Sequence, residues 1–318
     1  MSAPVLAERG ARVRMTFAGD KAKEALGGLV TNDVVALRTG AGQRAAALTA
    51  KGRVIALCRV WDRGSDLLVD CDAAAGPGFV GMIRKFVNPR LAKYADVTAT
   101  TDCLGVIGDG AAGALAAALG ADEATRGAIE ALAPMHGLTV GEGEAAAWVT
   151  RSDDFDAPAI ECIAPPARIA AVREALMAAG ARAESPAELD ARRIARGLPA
   201  WGVEMTDDTI AQEAVLDTLG AISFSKGCYT GQEVVARIHF RGHVNRLLRQ
   251  LESARPLAAG ARVLDAEGNE VGEVRSCAAT SPRGPIAIAM LRREVAPDST
   301  VTVRDASTDT AARVRAIA

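Results

Sequence analysis

Short β-prone segments alternate with helical segments over residues 12–196, and this alternation restricts the chain to few fold classes. Period-two patterns with β-branched residues predict strands, and apolar residues at helical spacing predict helices. The predicted strands cover residues 12–17, 45–48, 54–61, 66–70, 96–100, 104–107, 146–149 and 159–163. The predicted helices cover residues 21–26, 79–86, 111–119, 166–178 and 187–196. Hairpins mixed with βαβ-like units indicate α+β domains, two of them of the split βαβ type.

The pattern changes after Pro256 to short strands separated by turns. The predicted strands there cover residues 261–264, 271–276, 286–291 and 301–303. Closely spaced short strands without helices are typical of small all-β domains. The tail therefore predicts a β-barrel or a β-sandwich.

Composition sets the size of the core and excludes some classes of function. A chain of 318 residues with 49% hydrophobic and 24% charged residues is expected to form two or three globular domains. Aromatic residues make up only 3%, so aliphatic side chains and alanine must fill the core. A net charge of −2 argues against broad nucleic-acid binding, and we expect no direct nucleic-acid contact.

Cysteine usage and hydropathy indicate a reducing, aqueous compartment. None of the six cysteines forms a CxxC pair, so reduced thiols are expected. No apolar run reaches the roughly 18 residues that a membrane span needs. The first ten residues lack the pattern of a secretory signal. We expect a cytoplasmic protein without a membrane partner, or a mitochondrial matrix protein if the source is eukaryotic.

Lys226-Gly227-Cys228-Tyr229-Thr230-Gly231-Gln232-Glu233 combines two glycines, a thiol, a cation, an anion and an amide in eight residues. The glycines allow backbone angles and close approaches that a Cβ would block. Lys226 is close enough in sequence to favour the Cys228 thiolate, which is the reactive form. The alternation over residues 234–240 predicts that this loop leads into a strand. The alternative is that Cys228 is a small buried hydrophobic residue and the glycines only form a turn.

Two histidines follow the octapeptide and extend the list of candidates. His239 and His243 are candidate bases for a nucleophilic Cys228. The three residues could also bind a metal, but no second cysteine lies nearby, so we predict no stably bound metal.

The octapeptide resembles the KGCYxGQE signature of the YgfZ-type proteins, which are relatives of the glycine-cleavage T-protein. Segments 29–34, 48–53, 197–204 and 211–214 resemble four further family motifs, and the glycines near 260–272 fit a final barrel. The resemblance implies three domains in a ring-like arrangement: two ferredoxin-like (split βαβ) α+β units and a C-terminal antiparallel β-barrel. It implies a central cleft for tetrahydrofolate or a derivative and a role in iron–sulfur cluster assembly or repair. Iron–sulfur enzymes, including those that thiolate tRNA, and assembly proteins are the implied partners.

The resemblance also implies site residues and domain limits. Cys228 and Lys226 would act chemically, and the folate contacts would be Gly227, Tyr229, Gly231, Gln232, Glu233, Arg237, Glu204 and Asn32. A discontinuous folate-binding-type α+β domain would cover residues 1–45 and 103–240, with an inserted α+β domain over 46–102. The barrel would cover residues 241–318.

A basic stretch follows Glu233, because no acid occurs before Glu252. Its arginines are Arg237, Arg241, Arg246 and Arg249. Guanidinium groups bind carboxylates and phosphates through paired hydrogen bonds, so the stretch could hold a polyglutamate tail. The alternative is a solvated face whose charges meet acids elsewhere in the fold.

Two departures from the T-protein pattern bear on the activity. The acidic pair expected just after Gly52 is replaced by residues 54–57, Val-Ile-Ala-Leu, and Ala195 replaces a glutamate expected to bind the pterin edge. Without these acids the sequence favours an accessory factor over an aminomethyltransferase. The alternatives are a tetrahydrofolate-dependent aminomethyl or one-carbon transferase that uses Asp33, Asp190 or Glu204, and a partner-binding scaffold in which Cys228 is structural.

Overall fold

The structure is a computed structural model that describes residues 3–306 and 308–317. It contains two β-sheets, each accompanied by helices, and a closed β-barrel. Residues 1, 2, 307 and 318, which the predicted domain limits include, lie outside the described residues.

The first sheet has five antiparallel strands in the order β3-β4-β5-β2-β6. These are β2 (Arg12–Ala18), β3 (Gly42–Leu48), β4 (Val54–Asp62), β5 (Leu67–Asp72) and β6 (Lys93–Asp96). Helices α1 (Ala22–Gly27) and α2 (Gly76–Phe86) cover one face, where Phe17, Leu26, Phe79 and Ile83 are fully buried. The other face carries arginines and aspartates, and it packs against the rest of the protein.

The second sheet has six strands in the order β11-β1-β7-β10-β9-β8. They are β1 (Val5–Glu8), β7 (Asp102–Ile107), β8 (Gly137–Val140), β9 (Ala147–Ser152), β10 (Ala159–Ala164) and β11 (Arg182–Ala183). Helices α3 (Ala111–Leu119), α4 (Glu123–Glu130) and α5 (Pro166–Ala178) accompany it. Helix α6 (Pro186–Arg196) begins at a Ser185–Glu188 capping box and ends at Gly197, whose φ is +79°.

The C-terminal domain is a closed antiparallel barrel rather than a sandwich. Its order is β12-β15-β14-β13-β16-β17. The strands are β12 (Arg246–Ser253), β13 (Arg262–Leu264), β14 (Glu270–Ala278), β15 (Ile286–Arg292), β16 (Thr300–Arg304) and β17 (Asp309–Arg315). Closure leaves no free sheet edge. The expected fold class, two α+β units followed by an antiparallel barrel, is confirmed.

The strand predicted over residues 234–240 is wrong, because helix α7 (Gln232–Arg241) occupies this segment. Long-range contacts override the period-two pattern here. Val235 is fully buried, and the side-chain amide of Gln212 donates to its carbonyl at 2.8 Å. Glu233 and Arg237 add an ion pair at the helical i,i+4 spacing. The segment 96–100 is also not a strand, since β6 ends at Asp96 and residues 98–100 form a turn of 3₁₀ helix.

The division of the chain into domains stays a prediction, and the pairing of strands limits where a domain boundary can lie. A limit between residues 45 and 46 would cut through β3, which pairs with β4 along its whole length. β2 lies in the same sheet as β4 and β5.

Candidate functional site

Residues 226–231, which we call the Cys228 loop, connect an irregular segment to helix α7. Gly231 is the residue that precedes the helix, and its φ of +86° favours glycine. A Cβ on Gly231 would lie 2.6 Å from the Thr49 carbonyl oxygen, in the turn between β3 and β4. A Cβ on Gly52, in the same turn, would lie 2.9 Å from Val234. These two glycines let the loop and the turn pack backbone to backbone, which fixes the start of α7.

Cys228 is the one exposed cysteine of the six. Cys277 is half-buried, and the other four are buried. Burial raises the pKa of the Cys58 and Cys103 thiols well above the usual value and that of Cys162 to about 12. Cys228 is therefore the accessible thiol of the molecule.

Lys226 points away from solvent into the end of helix α1. Its ammonium donates to the carbonyl oxygens of Gly27, of Val30 at 2.8 Å and of Asn32 at 3.1 Å. An ammonium has three donors, so these carbonyls use all of them. Burial lowers the pKa of Lys226 to about 8, although Asp33 opposes the shift. Lys226 thus anchors the loop, and its hydrogen bonds go to the backbone rather than to the thiol.

Tyr229 forms the buried side of the Cys228 loop. Its ring lies 5.1 Å from the Lys226 ammonium, and the next amide, of Thr230, donates to Gly28 at 3.2 Å. Burial raises the pKa of the Tyr229 hydroxyl to about 12, so this group stays protonated near neutral pH. The loop is therefore anchored at Lys226, Tyr229 and Thr230, while Gly227 and Cys228 between them face solvent.

The other predicted site residues fall into separate groups. The Asn32 side-chain amide donates to the carbonyls of Arg44 and Gly220, both at 2.8 Å, so it joins loops. Glu204 is buried and accepts from Arg193 at 3.0 Å and from Ser276 of the barrel. The structure brings Asn32 next to Lys226 and places Glu204 at the junction with the barrel instead.

The basic stretch does not form one site. Arg237 pairs with Glu233 at 2.6 Å on the exposed side of α7, next to the half-buried Gln232, and Arg246 pairs with Glu213 at 2.9 Å. The prediction that these cations have no nearby acid is therefore wrong for Arg237 and Arg246, because the fold places Glu233 and Glu213 beside them. Arg249 lies on β12, and its Nε has no hydrogen-bond partner among the described residues.

The histidines lie on or after α7, and neither is placed against the thiol by a hydrogen bond. His239 stacks on Phe224 with ring centroids 3.6 Å apart, and His243 is exposed beyond the end of the helix. Over residues 3–306 and 308–317, no group of three or more His, Cys, Asp and Glu side chains is arranged to hold a metal ion. No helix in the same part of the chain is long and apolar enough to cross a membrane.

Sequence reasoning missed an ion network that joins the two sheets. Its arginines are Arg9, Arg12, Arg44 and Arg59, and its acids are Asp70, Asp72, Asp153, Asp154 and Glu161. Arg59 has the most partners: it contacts Asp70 at 2.6 Å, Glu161 at 2.7 Å and Asp154 at 3.1 Å. The available signal was the presence of charged residues inside otherwise apolar strands, at alternate positions in β2 and β5 and singly as Arg44 in β3 and Arg59 in β4.

The network holds the carboxylates of Asp70 and Asp154 ionised. Burial alone would raise the pKa of Asp70, but Arg12 and Arg59 lower it below the usual range. Burial would also raise the pKa of Asp154, but the guanidinium groups of Arg59, Arg9 and Arg44 lower that pKa well below the usual value. Carboxylates of this kind are poor proton acceptors near neutral pH.

A small cavity of about 50 Å³ lies within this network. Apolar Leu57 and residues 198–200 also line it. Sites for bound cofactors usually enclose about 300–1,000 Å³. Tetrahydrofolate does not fit this cavity. The cavity is too small, and the arginine side chains that line it are already paired with carboxylates.

Comparisons with known proteins agree with this architecture. The GCVT N-terminal domain family matches residues 6–226, and the C-terminal β-barrel domain of CAF17 matches residues 246–317. Curated relatives include the tRNA-modifying protein YgfZ of Escherichia coli O45:K1 and of E. coli O81, each 35% identical over 120 residues. That region is 36% of this chain, and the match spans only 37% of the length of these relatives. The structure of the glycine cleavage system aminomethyltransferase T from Bartonella henselae has a TM-score of 0.87 at 20% identity, and the match covers 99% of this chain and 86% of that one. The last comparison shows the fold alone.

Proposed function

The chain belongs to the family of the GCVT N-terminal domain, and from that premise we propose an accessory factor that acts through the Cys228 thiol in iron–sulfur cluster assembly or repair. The enzymes it serves would include those that modify tRNA. The observation that carries the proposal is the exposed Cys228, held on a loop that is anchored from below at Lys226, Tyr229 and Thr230. The local match to YgfZ, which is named a tRNA-modifying protein, supports the class of enzyme served.

One accessible thiol limits what the protein can do by itself. A closed metal or cluster site needs several ligands, and a disulfide needs a second thiol within reach. Cys228 therefore supplies one thiolate, either as a temporary ligand to a cluster shared with a partner or as a redox thiol for that partner. The work would take place in the cytoplasm, where thiols stay reduced.

The alternative, an aminomethyltransferase, has support from the fold likeness but not from the chemistry. The segment after Gly52 offers Leu57 to the small cavity in the ion network, and Asp154, which lines the same cavity, is held ionised by arginines. Of the substitute acids, Glu204 and Asp190 both pair with Arg193. We therefore expect no aminomethyl transfer. Ammonia release that depends on tetrahydrofolate and an aminomethylated carrier protein would contradict this.

Folate binding stays a prediction from the family resemblance. The closed cavity counts against it in this conformation, and titration calorimetry of the full-length protein with tetrahydrofolate tests it.

The proposal is tested in a strain of the source organism that lacks the gene. Re-introduced wild-type protein should restore thiolated tRNA nucleosides, measured by mass spectrometry, and Cys228→Ser should not. Cys277→Ser is the matched control and should restore them. Both variants should be present at wild-type levels. Full restoration by Cys228→Ser would remove the thiol from the function.

A further inference from the structure

Helix α7 packs on the protein through one side only. Val235 is its one fully buried residue, and Val234 contacts Gly52. The opposite side presents Glu233, Ala236, Arg237, Phe240 and Arg241 around an open concavity of about 470 Å³. We call these five residues the α7 face. It combines the apolar Ala236 and Phe240 with three charged side chains, and within the described residues no other element covers it.

Phe240 is the main apolar group of the α7 face and is 67% exposed. Contacts with neighbouring rings restrict its side-chain conformation. Its ring meets that of His239 edge to face at 4.7 Å, and His239 in turn stacks on the half-buried Phe224. An aromatic side chain that is ordered before binding loses little entropy when a partner covers it, which is a property of interface anchor residues.

Two arginines, Arg237 and Arg241, lie beside this aromatic group. Arg241 has no carboxylate partner among the described residues, and Arg237 shares only a solvent-exposed pair with Glu233, which stabilises little. A partner suited to this surface presents an apolar ridge flanked by carboxylates. An acidic amphipathic helix has that form, and helix-on-helix packing supplies the geometry.

We propose that the α7 face docks an acidic amphipathic helix of a partner protein and so brings that partner to Cys228. That this partner exchanges an iron–sulfur cluster or electrons with the Cys228 thiol rests on the proposed function. The docking surface itself rests on Phe240, Arg241 and the open concavity.

Phe240 and the Cys228 loop are close enough for one docked partner to cover both. Phe240 lies eight positions after Gln232, which is about 12 Å along a helix. A standard interface buries roughly 800 Å² on each partner, a patch about 30 Å across. A protein docked on Phe240 therefore covers the start of α7, where the Cys228 loop ends.

Fluorescence anisotropy with the full-length protein tests the docking surface. The probe is a labelled synthetic peptide with leucines on one helix face and glutamates on the other. We expect salt-dependent binding that Phe240→Ala weakens by about tenfold or more, as truncation of an interface anchor does. Arg241→Glu should also weaken it. Phe86→Ala is the matched control, since Phe86 is 56% exposed at the end of α2, and Arg126→Glu on α4 is the control for charge.

Three results would overturn the proposal: no binding of the acidic peptide, equal binding by Phe240→Ala and wild type, or equal binding of a peptide with lysines in place of the glutamates. Displacement of the peptide by single-stranded RNA at lower concentration would assign the surface to nucleic acid instead. Unfolding midpoints of all variants check that the fold is kept.

The docking surface and the proposed function can fail separately. Cys228→Ser should bind the peptide like the wild type, and Phe240→Ala should keep the wild-type rate of Cys228 alkylation. If Cys228→Ser restores tRNA thiolation while the peptide still requires Phe240, the function is wrong and the surface stands.

Discussion

At the Cys228 loop, side chains two residues apart face opposite environments. The Lys226 ammonium is buried against backbone carbonyls, whereas the Cys228 thiol is exposed. The sequence pattern correctly indicated an unusual loop. It could not show that the lysine turns inward, because the carbonyls that receive it come from residues 27–32, about two hundred positions earlier in the chain.

Cys228 should be the fastest of the six cysteines to react with iodoacetamide in the native protein. Its thiol is exposed, whereas burial raises the pKa of Cys58, Cys103 and Cys162 and keeps them protonated. Mass spectrometry of tryptic peptides after short labelling times measures the order. The half-buried Cys277 is the internal reference, and its faster labelling would contradict the prediction.

Lys226 should titrate with an apparent pKa of about 8. Burial disfavours the ammonium, so its amine becomes neutral and acylable above that pH, whereas a lysine in the unfolded chain stays charged up to about 10.4. Between these values the unfolded state binds more protons, so the stability linked to this group rises with pH. Competitive labelling with acetic anhydride measures the midpoint. A midpoint unchanged by unfolding would show that the ammonium is not buried.

At the scale of elements, the loop and the turn between β3 and β4 depend on glycine backbone geometry. Gly231→Ala should destabilise the protein by about 1–3 kcal/mol or more. The alanine would have to adopt a positive φ, and its Cβ would clash with the Thr49 carbonyl oxygen. Gly227→Ala is the matched control. It lies outside the positive-φ region with no atom near its Cβ position, so we expect a change within about 0.5 kcal/mol.

Urea unfolding of the two glycine variants gives the free energies of unfolding. Equal midpoints for Gly231→Ala and Gly227→Ala would mean that the backbone contact with Thr49 does not hold the loop.

Elements with strong local patterns were predictable, and those set by distant contacts were not. The predicted span 166–178 coincides with α5, and the Ser185 cap and Gly197 mark the ends of α6 in the sequence itself. Helix α7 was predicted as a strand because Val234, Ala236, Ile238 and Phe240 occupy every second position, which imitates a half-buried strand. What decides in favour of a helix is packing on Gly52 and Gln212, which no local window contains.

At the scale of the whole molecule, the two sheets are joined by buried ion pairs between residues far apart in the chain. Arg59 of β4 reaches Glu161 of β10, and Arg44 of β3 reaches Asp154 after β9. Charged residues inside otherwise apolar strands could reveal that these residues lie on a covered face. It could not reveal their partners, because the pairing depends on how two sheets pack.

Arg59→Met should destabilise the protein by about 3–5 kcal/mol, since it leaves Asp70 and Glu161 short of a buried countercharge. Arg126→Met, on the exposed side of α4, is the matched control and should change stability little. Denaturant unfolding at neutral pH gives both values, and a loss as small for Arg59→Met as for the control would show that the network does not hold the sheets together.

Acid should weaken the same network. The folded pKa of Asp70 lies below its usual range, and that of the unfolded carboxyl is about 3.9. The stabilisation from Asp70 is therefore complete above about pH 4 and is lost as pH falls through the lower, folded value. The difference in unfolding free energy between wild type and Asp70→Asn should be largest near neutral pH and should narrow below pH 4 or so. A difference that stays constant as the pH is lowered would mean that Asp70 is not held ionised by Arg12 and Arg59, and the joint between the sheets would then depend on apolar packing around Trp61 and Trp148.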